Sequence, residues 1–248
     1  MFSLNQIGYF SQAAGGGGGS FTIVTDWEDT GFPSDWINNN GTNTSDIDPD
    51  ATNRVVDGTQ SLFINGNGSG NPVDYAEWFP SELSGGVQID FIELHWYDDN
   101  SQNGGGFALV DSNGADVIGF ATSNPSWKIW DANGWSGAPN DSGNSNVWTR
   151  IKIIFDWVNG TADIKCELID SNPGVIVSND GRPLRVTTDV ESLALRSFGT
   201  TNRGWNGGES TDMSYDLITI SKSSTSVSAP TPIPVTTDLR VHFDASQL

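Results

Sequence analysis

Tryptophan set among small polar residues is the chemistry this sequence offers most plainly. Across 123–148 stand Trp127, Trp130, Trp135 and Trp148, separated mainly by Gly, Asn, Asp and Ser. In 202–209 (NRGWNGGE) Trp205 is followed by Asn206. An indole face stacks on the apolar face of a sugar ring, while nearby amides and carboxylates take its hydroxyls. Trp127, Trp130, Trp135, Trp205 and Asn206 are therefore candidate ligand-binding residues, joined by the polar turn Asp98, Asp99 and Asn100. The competing reading is packing, in which the same rings close the end of a core or bury against another subunit. Trp127 and Trp130 have opposite strand parity, so they are expected to divide between core and surface.

Other reactive side chains are sparse. Asp46, Asp48 and Asp50 alternate in SDIDPDATNRVVD and make a candidate structural Ca²⁺ site, the one cofactor considered. An EF-hand loop, however, has Gly where Ala51 stands and Glu where Asp57 stands. A solvated acidic loop is the alternative. His95 is a lone histidine inside the patterned block and reads as structural, and His242 lies near the end of the chain. The single cysteine, Cys166, allows no intrachain disulfide and no multi-thiolate zinc site, and its strand parity makes it a small core filler. Phe2, Leu4, Ile7, Tyr9 and Phe10 lie in an uncharged leader joined through the five glycines of 15–19. A tethered apolar peptide of this kind is expected to anchor the chain to a partner.

Composition limits what these residues can serve. The 248 residues carry 31 acidic and 11 basic side chains, a formal charge of −20, so the chain repels phosphate backbones and nucleic-acid binding is excluded. No apolar run approaches the roughly 20 residues of a membrane-spanning helix, so no membrane insertion is expected. Hydrophobic residues make up only 35%, but ten Trp and twelve Phe supply enough area for a core.

The elements that must hold the candidates are strands. In 148–157 (WTRIKIIFDW) Ile151, Ile153, Phe155 and Trp157 alternate with Arg150, Lys152 and Asp156. In 161–169 (TADIKCELI) Ala162, Ile164, Cys166 and Leu168 do the same, and Asn159-Gly160 between the runs signals a hairpin with a type I′ turn. In 87–97 the apolar parity switches between Phe91 and Ile92, which predicts a bulge, a bend or burial on both faces. Further strands are expected at 21–25, 60–65, 73–79, 106–110, 116–121, 127–131, 174–177, 184–188, 193–198 and 213–221. No amphipathic helix longer than two turns is evident. The fold class is all-β, a jelly-roll β-sandwich of two antiparallel sheets with an extended N-terminal peptide and a C-terminal linker. The expected division is leader and hinge at 1–20, sandwich at 21–221, a Ser/Thr/Pro spacer at 222–238, and the first strand of a further domain at 239–248.

Several stretches resemble the concanavalin A-like lectin/glucanase superfamily. They are DWEDTGFPSDW (26–36), VVDGTQSLFING (55–66), the laminin-G-like hairpin WTRIKIIFDWVNGTADI (148–164) and the closing YDLITIS (215–221). The resemblance implies a jelly roll with glycan-binding or glucanase relatives. Glucanases of this fold carry Glu-x-Asp-x-x-Glu on one strand, but here Gln88 replaces the first Glu before Asp90 and Glu93. Polysaccharide lyases of this fold need an Arg/Gln/His/Tyr cluster to neutralise a uronate and abstract its proton, and no matching arginine-bearing strand is recognised around His95. The layout of leader, glycine hinge, module and spacer also resembles bacteriophage virion proteins. The expectation is a non-enzymatic virion surface protein binding host-surface glycan, anchored to other virion structural proteins and assembled as a homo-oligomer. The alternatives are a purely structural capsid or tail decoration protein, and an extracellular carbohydrate-active enzyme or its binding module.

Overall fold

The computed structural model describes residues 19–28, 31, 33–38, 47–52, 54–64, 75–98, 106–123, 126–137, 146–170, 173–196 and 213–223. Among these run β1 (Phe21–Thr25), β2 (Trp36–Asn38), β3 (Ile47–Ala51), β4 (Ser61–Ile64), β5 (Tyr75–Trp78), β6 (Phe91–Asp98), β7 (Gly106–Val110) and β8 (Asp116–Ser123). They continue with β9 (Ser126–Asp131), β10 (Gly134–Gly137), β11 (Trp148–Asp156), β12 (Thr161–Leu168), β13 (Ile176–Pro183), β14 (Ser192–Arg196) and β15 (Met213–Lys222). One 3₁₀ turn, Ser81–Leu83, is the sole helical element of the described residues.

Two antiparallel sheets form the sandwich. The first has eight strands in the order β13-β12-β11-β6-β15-β4-β3, with β1 also paired to β15. The second has seven, ordered β10-β9-β8-β7-β14-β5-β2. Period-2 alternation sends one side of each strand inward. Ile92, Leu94 and Trp96 of β6, Ile151 and Ile153 of β11, and Ile164 and Cys166 of β12 meet Phe107, Leu109, Phe120, Ile129, Leu193 and Leu195 of the other sheet. Each fully buried Ile or Leu contributes about 1.5–3 kcal/mol relative to exposure.

The sandwich has a plug at one end. Trp27, Trp36 and Trp78 are all buried, with Trp36 stacked on Trp78 at 5.5 Å and Trp27 tilted against Trp36 at 4.4 Å. The Trp78 indole N–H donates to Asp35 Oδ2 at 2.7 Å, so Trp27, Asp35 and Trp36 close the core. The two sheets are also tied across the core by Tyr215, whose hydroxyl donates to the Gly106 carbonyl at 2.6 Å.

Several expectations change in detail. The β11–β12 hairpin forms, but its turn has four residues, 157–160, and only Gly160 has positive φ (65°), so it is not a two-residue type I′ turn. Asp156 accounts for the longer turn by accepting the Asn159 N–H at 3.0 Å. The parity switch in 87–97 is a bend at Asp90: β6 starts only at Phe91, and Val87 makes an isolated bridge to Val190. The bulge lies instead on the neighbouring β15, between Asp216 and Thr219, where Leu217 has φ 42°. Residues 184–188 form no strand. They cross between sheets, with Leu184 N–H bonded to Gly160 O and Arg185 N–H to Val117 O, so no single neighbour supplies a ladder. The acidic run expected as a calcium loop contributes edge strand β3, with Asp48 opposite Phe63.

Candidate functional site

The tryptophan-rich stretch 123–148 contains a hairpin. β9 and β10 pair tightly around Ala132 and Asn133, and Gly134 takes φ 89°. The Asp131 carboxylate accepts the Asn133 N–H at 2.8 Å, which holds the turn. Asn133-Gly134 is the same dipeptide signal as Asn159-Gly160, and it was the clue available in the sequence.

Register then assembles a row on the outward face of the seven-stranded sheet. Trp135 stands opposite Trp130, Trp130 opposite Gly119, Gly119 opposite Ala108, Ala108 opposite Ala194, Ala194 opposite Glu77, and Glu77 opposite Ile37. Seven strands at about 4.8 Å spacing give the row a length of about 29 Å. Its middle is small residues. Ala108 and Ala121 form a cluster separate from the main core, and Trp135 packs onto it half-buried. Gly106, one row over beside Ala121, is a required glycine because a Cβ there would sit 2.0 Å from the Phe120 carbonyl. Gly119, Ala108, Ala194 and Glu77 in the middle of the row are buried, and the partly exposed side chains are Lys128, Trp130 and Trp135 at one end and Ile37 at the other. Glu77 is buried and accepts the Ser192 hydroxyl at 2.7 Å.

The two indoles have different jobs. Trp130 lies 5.1 Å from Trp135 at 32°, and the Arg185 guanidinium covers it at 3.9 Å from the ring centroid. Arg185 Nη1 also donates to the Asp131 carbonyl at 3.0 Å. Trp130 is thus the support on which Arg185 rests, and Trp135 is the platform beside it. Lys128, two residues from Trp130 on β9, shares its outward parity. Below them Asp131 is fully buried and paired with Arg182, which also donates to Ser136 and so bridges β13 of one sheet to the β9–β10 edge of the other. Arg185 and Lys128 were missed by sequence reading, because only cross-strand register brings them to the tryptophans.

Other sequence candidates fall elsewhere. Trp127 lies in β9 opposite Thr122. Trp148 is buried, edge-on to Tyr97 at 5.4 Å, with its backbone N–H bonded to Asp170. Asp98 ends β6 opposite Met213, and Asp48 and Asp50 lie in β3, where Asp48 is exposed. Trp205, Asn206, Asp99, Asn100, Asp46 and the leader residues Phe2, Leu4, Ile7, Tyr9 and Phe10 lie outside the described residues. Among the described residues no three His, Cys, Asp or Glu gather as a metal site.

The acids weighed for glycoside chemistry do not meet. Asp90 sits at the bend before β6 and accepts the Ser223 N–H at 2.6 Å, whereas Glu93 is on the outward face of the eight-stranded sheet, 3.2 Å from Lys152. The same face buries His95 directly opposite Arg150 and Asp216, so an arginine-bearing strand does adjoin the histidine, contrary to the sequence reading. Arg150 is held by Glu167. Burial holds His95 below the ordinary imidazole range, with Arg150 adding to that, against a hydrogen bond to the Leu217 carbonyl and the charges of Glu93 and Asp57. Burial pushes Asp216 up to about 6 although its carboxylate accepts N–H groups from Val56, Asp57 and Leu217.

No protein-family profile matches the sequence, and no curated protein does. Among solved structures, a protein of unknown function from Shewanella oneidensis MR-1 aligns over 89% of this chain and 93% of its own, at 10% identity and TM-score 0.54. The apo Crh5 transglycosylase aligns over 81% and 84%, at 9% identity and TM-score 0.52. A basic winged bean lectin solved with Tn-antigen aligns over 81% and 98%, at 10% identity and TM-score 0.49. At these identities the likeness is one of fold, and the chain has a jelly-roll β-sandwich fold.

Proposed function

We propose that this protein is a non-enzymatic glycan-binding module, carried on a virion surface by its N-terminal peptide. The observation that carries the glycan reading is the partly exposed Trp130–Trp135 pair on the outer face of the β9–β10 hairpin. Trp135 is partly exposed beside Trp130 and offers the apolar platform that sugar rings stack on. The virion setting is supported by the uncharged leader, the glycine run and the Ser/Thr/Pro spacer that flank the module in sequence. Non-enzymatic action is supported by the separation of Asp90 from Glu93, since glycoside hydrolysis needs two carboxylates facing one bond.

The test is capture on an oligosaccharide array by the full chain and by Trp135→Ala. The expected result is binding that falls at least tenfold in the variant while Trp135→Phe keeps most of it and the melting temperature moves little. Absence of wild-type capture across the array overturns the glycan reading in favour of a structural decoration protein. Turnover of any captured oligosaccharide overturns the non-enzymatic part.

A further inference from the structure

We infer that the glycan taken at this site is acidic, bearing a carboxylate or sulfate that pairs with Arg185 and Lys128 beside the Trp135 platform. This rests on the glycan-binding reading and adds the charge of the ligand. Cations are scarce here, 11 against 31 acids, yet two of them flank the tryptophan pair. Arg150 and Lys152 elsewhere are committed to Glu167 and Glu93, and Arg182 to Asp131. Arg185 instead lies exposed over Trp130, held by one backbone carbonyl, and among the described residues neither it nor Lys128 has a carboxylate partner within ion-pair distance.

The arrangement orients Arg185 before a ligand arrives. Stacking on the indole fixes the guanidinium plane, and one of its five N–H groups goes to the Asp131 carbonyl. The others remain for the planar, two-pronged pairing that carboxylates and sulfates accept. Lys128 adds a second positive side chain on the outward face of β9, two residues or about 6–7 Å of backbone from Trp130.

The surrounding acidity does not cancel this pair. Asp131, the carboxylate nearest Lys128 in sequence, is buried and paired with Arg182, and Asp189, nearest Arg185, is bonded to Ser112. Glu77 lies four strand spacings away, about 19 Å, beyond the screening length of about 8 Å at physiological salt. The net charge of −20 therefore slows the approach of a polyanion without removing its local partners.

The experiment measures binding of the full chain to oligogalacturonate, to the same oligomer fully methyl-esterified, and to a sulfated galactan beside its desulfated form. The expected result is at least tenfold tighter binding of a charged oligomer than of its neutral counterpart. Arg185→Gln should abolish that preference, Arg185→Lys should restore part of it, and the melting temperature should be nearly unchanged. Preference for the uronate assigns a carboxylate, and preference for the sulfated galactan assigns a sulfate ester. Equal Trp135-dependent binding of charged and neutral oligomers overturns the inference while leaving glycan binding intact. Binding of neutral sugars elsewhere on an array, with no affinity for any charged one, does the same. No binding to any oligosaccharide removes both.

Discussion

At the scale of single residues, the molecule spends its charges on structure as well as on the candidate site. Asp131 is fully buried, and its ion pair with Arg182 joins the two sheets at one edge. Arg182→Ala leaves a buried carboxylate uncompensated and is expected to cost about 3–5 kcal/mol in urea unfolding. The double variant Asp131→Asn/Arg182→Met should recover much of it, and a cost below about 1 kcal/mol for the single change would show the pair to be dispensable. Asp216 works in the opposite sense. Because burial raises its folded value to about 6 from 3.8, its contribution is fully present below pH 3.8 and is lost as pH rises through 6. Between pH 4.5 and 7.5 that amounts to about 2 kcal/mol. Asp216→Asn, which also sets an amide donor against backbone N–H groups, should therefore cost about 2 kcal/mol more at pH 4.5 than at pH 7.5. A penalty that is the same at both pH values would refute the burial account. His95 has the reverse sign: its depressed value favours the neutral ring, so its contribution is present above pH 6.5 and lost on acidification.

At the scale of elements, strands give the site its shape through register. Tight turns set that register, the β9–β10 turn placing Trp130 directly opposite Trp135. A one-residue slip of β10 against β9 would send Trp135 to the core side, away from Trp130. On β7, Gly106 lets the backbone of β8 come close, so Gly106→Ala drives a methyl group into the Phe120 carbonyl. The expected cost is about 1–3 kcal/mol by thermal or chemical unfolding. A neutral effect on stability would mean that β7 and β8 can separate without penalty. The bulge in β15 is the counterpart on the other sheet: Leu217 at φ 42° lets Asp216 turn outward to hold the backbone of Val56 and Asp57 while Ile218 and Ile220 stay in the core.

At the scale of the whole molecule, the first and last strands of the sandwich pair with each other, β1 running antiparallel to β15. That pairing brings Phe21 opposite Lys222, so the two ends of the sandwich lie side by side. Anchoring through residues 2–10 predicts that their deletion abolishes incorporation into the parent assembly and leaves the melting temperature of the sandwich unchanged. Normal incorporation of the truncated chain, measured on purified particles, would remove the anchor. The tryptophans divide by scale as well. Trp27, Trp36 and Trp78 plug the core, whereas Trp130 and Trp135 stand on the outer face.

Alternation of apolar and polar residues determined most of the strands, because each strand here has one face in a shared core and the period of two is local information. It placed Cys166 inward, paired β11 with β12, and set the boundaries of β1 and β7. It could not decide which strands become neighbours across a sheet, since hydrogen-bonded partners such as β7 and β14 are some eighty residues apart and the ladder is made by generic backbone groups. Hence Trp135 was visible as a candidate, while Arg185 and Lys128 were not. The short strands β2, β3 and β10 escaped for a related reason. Trp36–Asn38 is too short to show a period, Ile47–Ala51 is an edge strand carrying Pro49, and Gly134–Gly137 has one large side chain. Local pattern set the faces of the strands, and tertiary packing alone decided which faces meet, which charges are buried, and where the two indoles stand together.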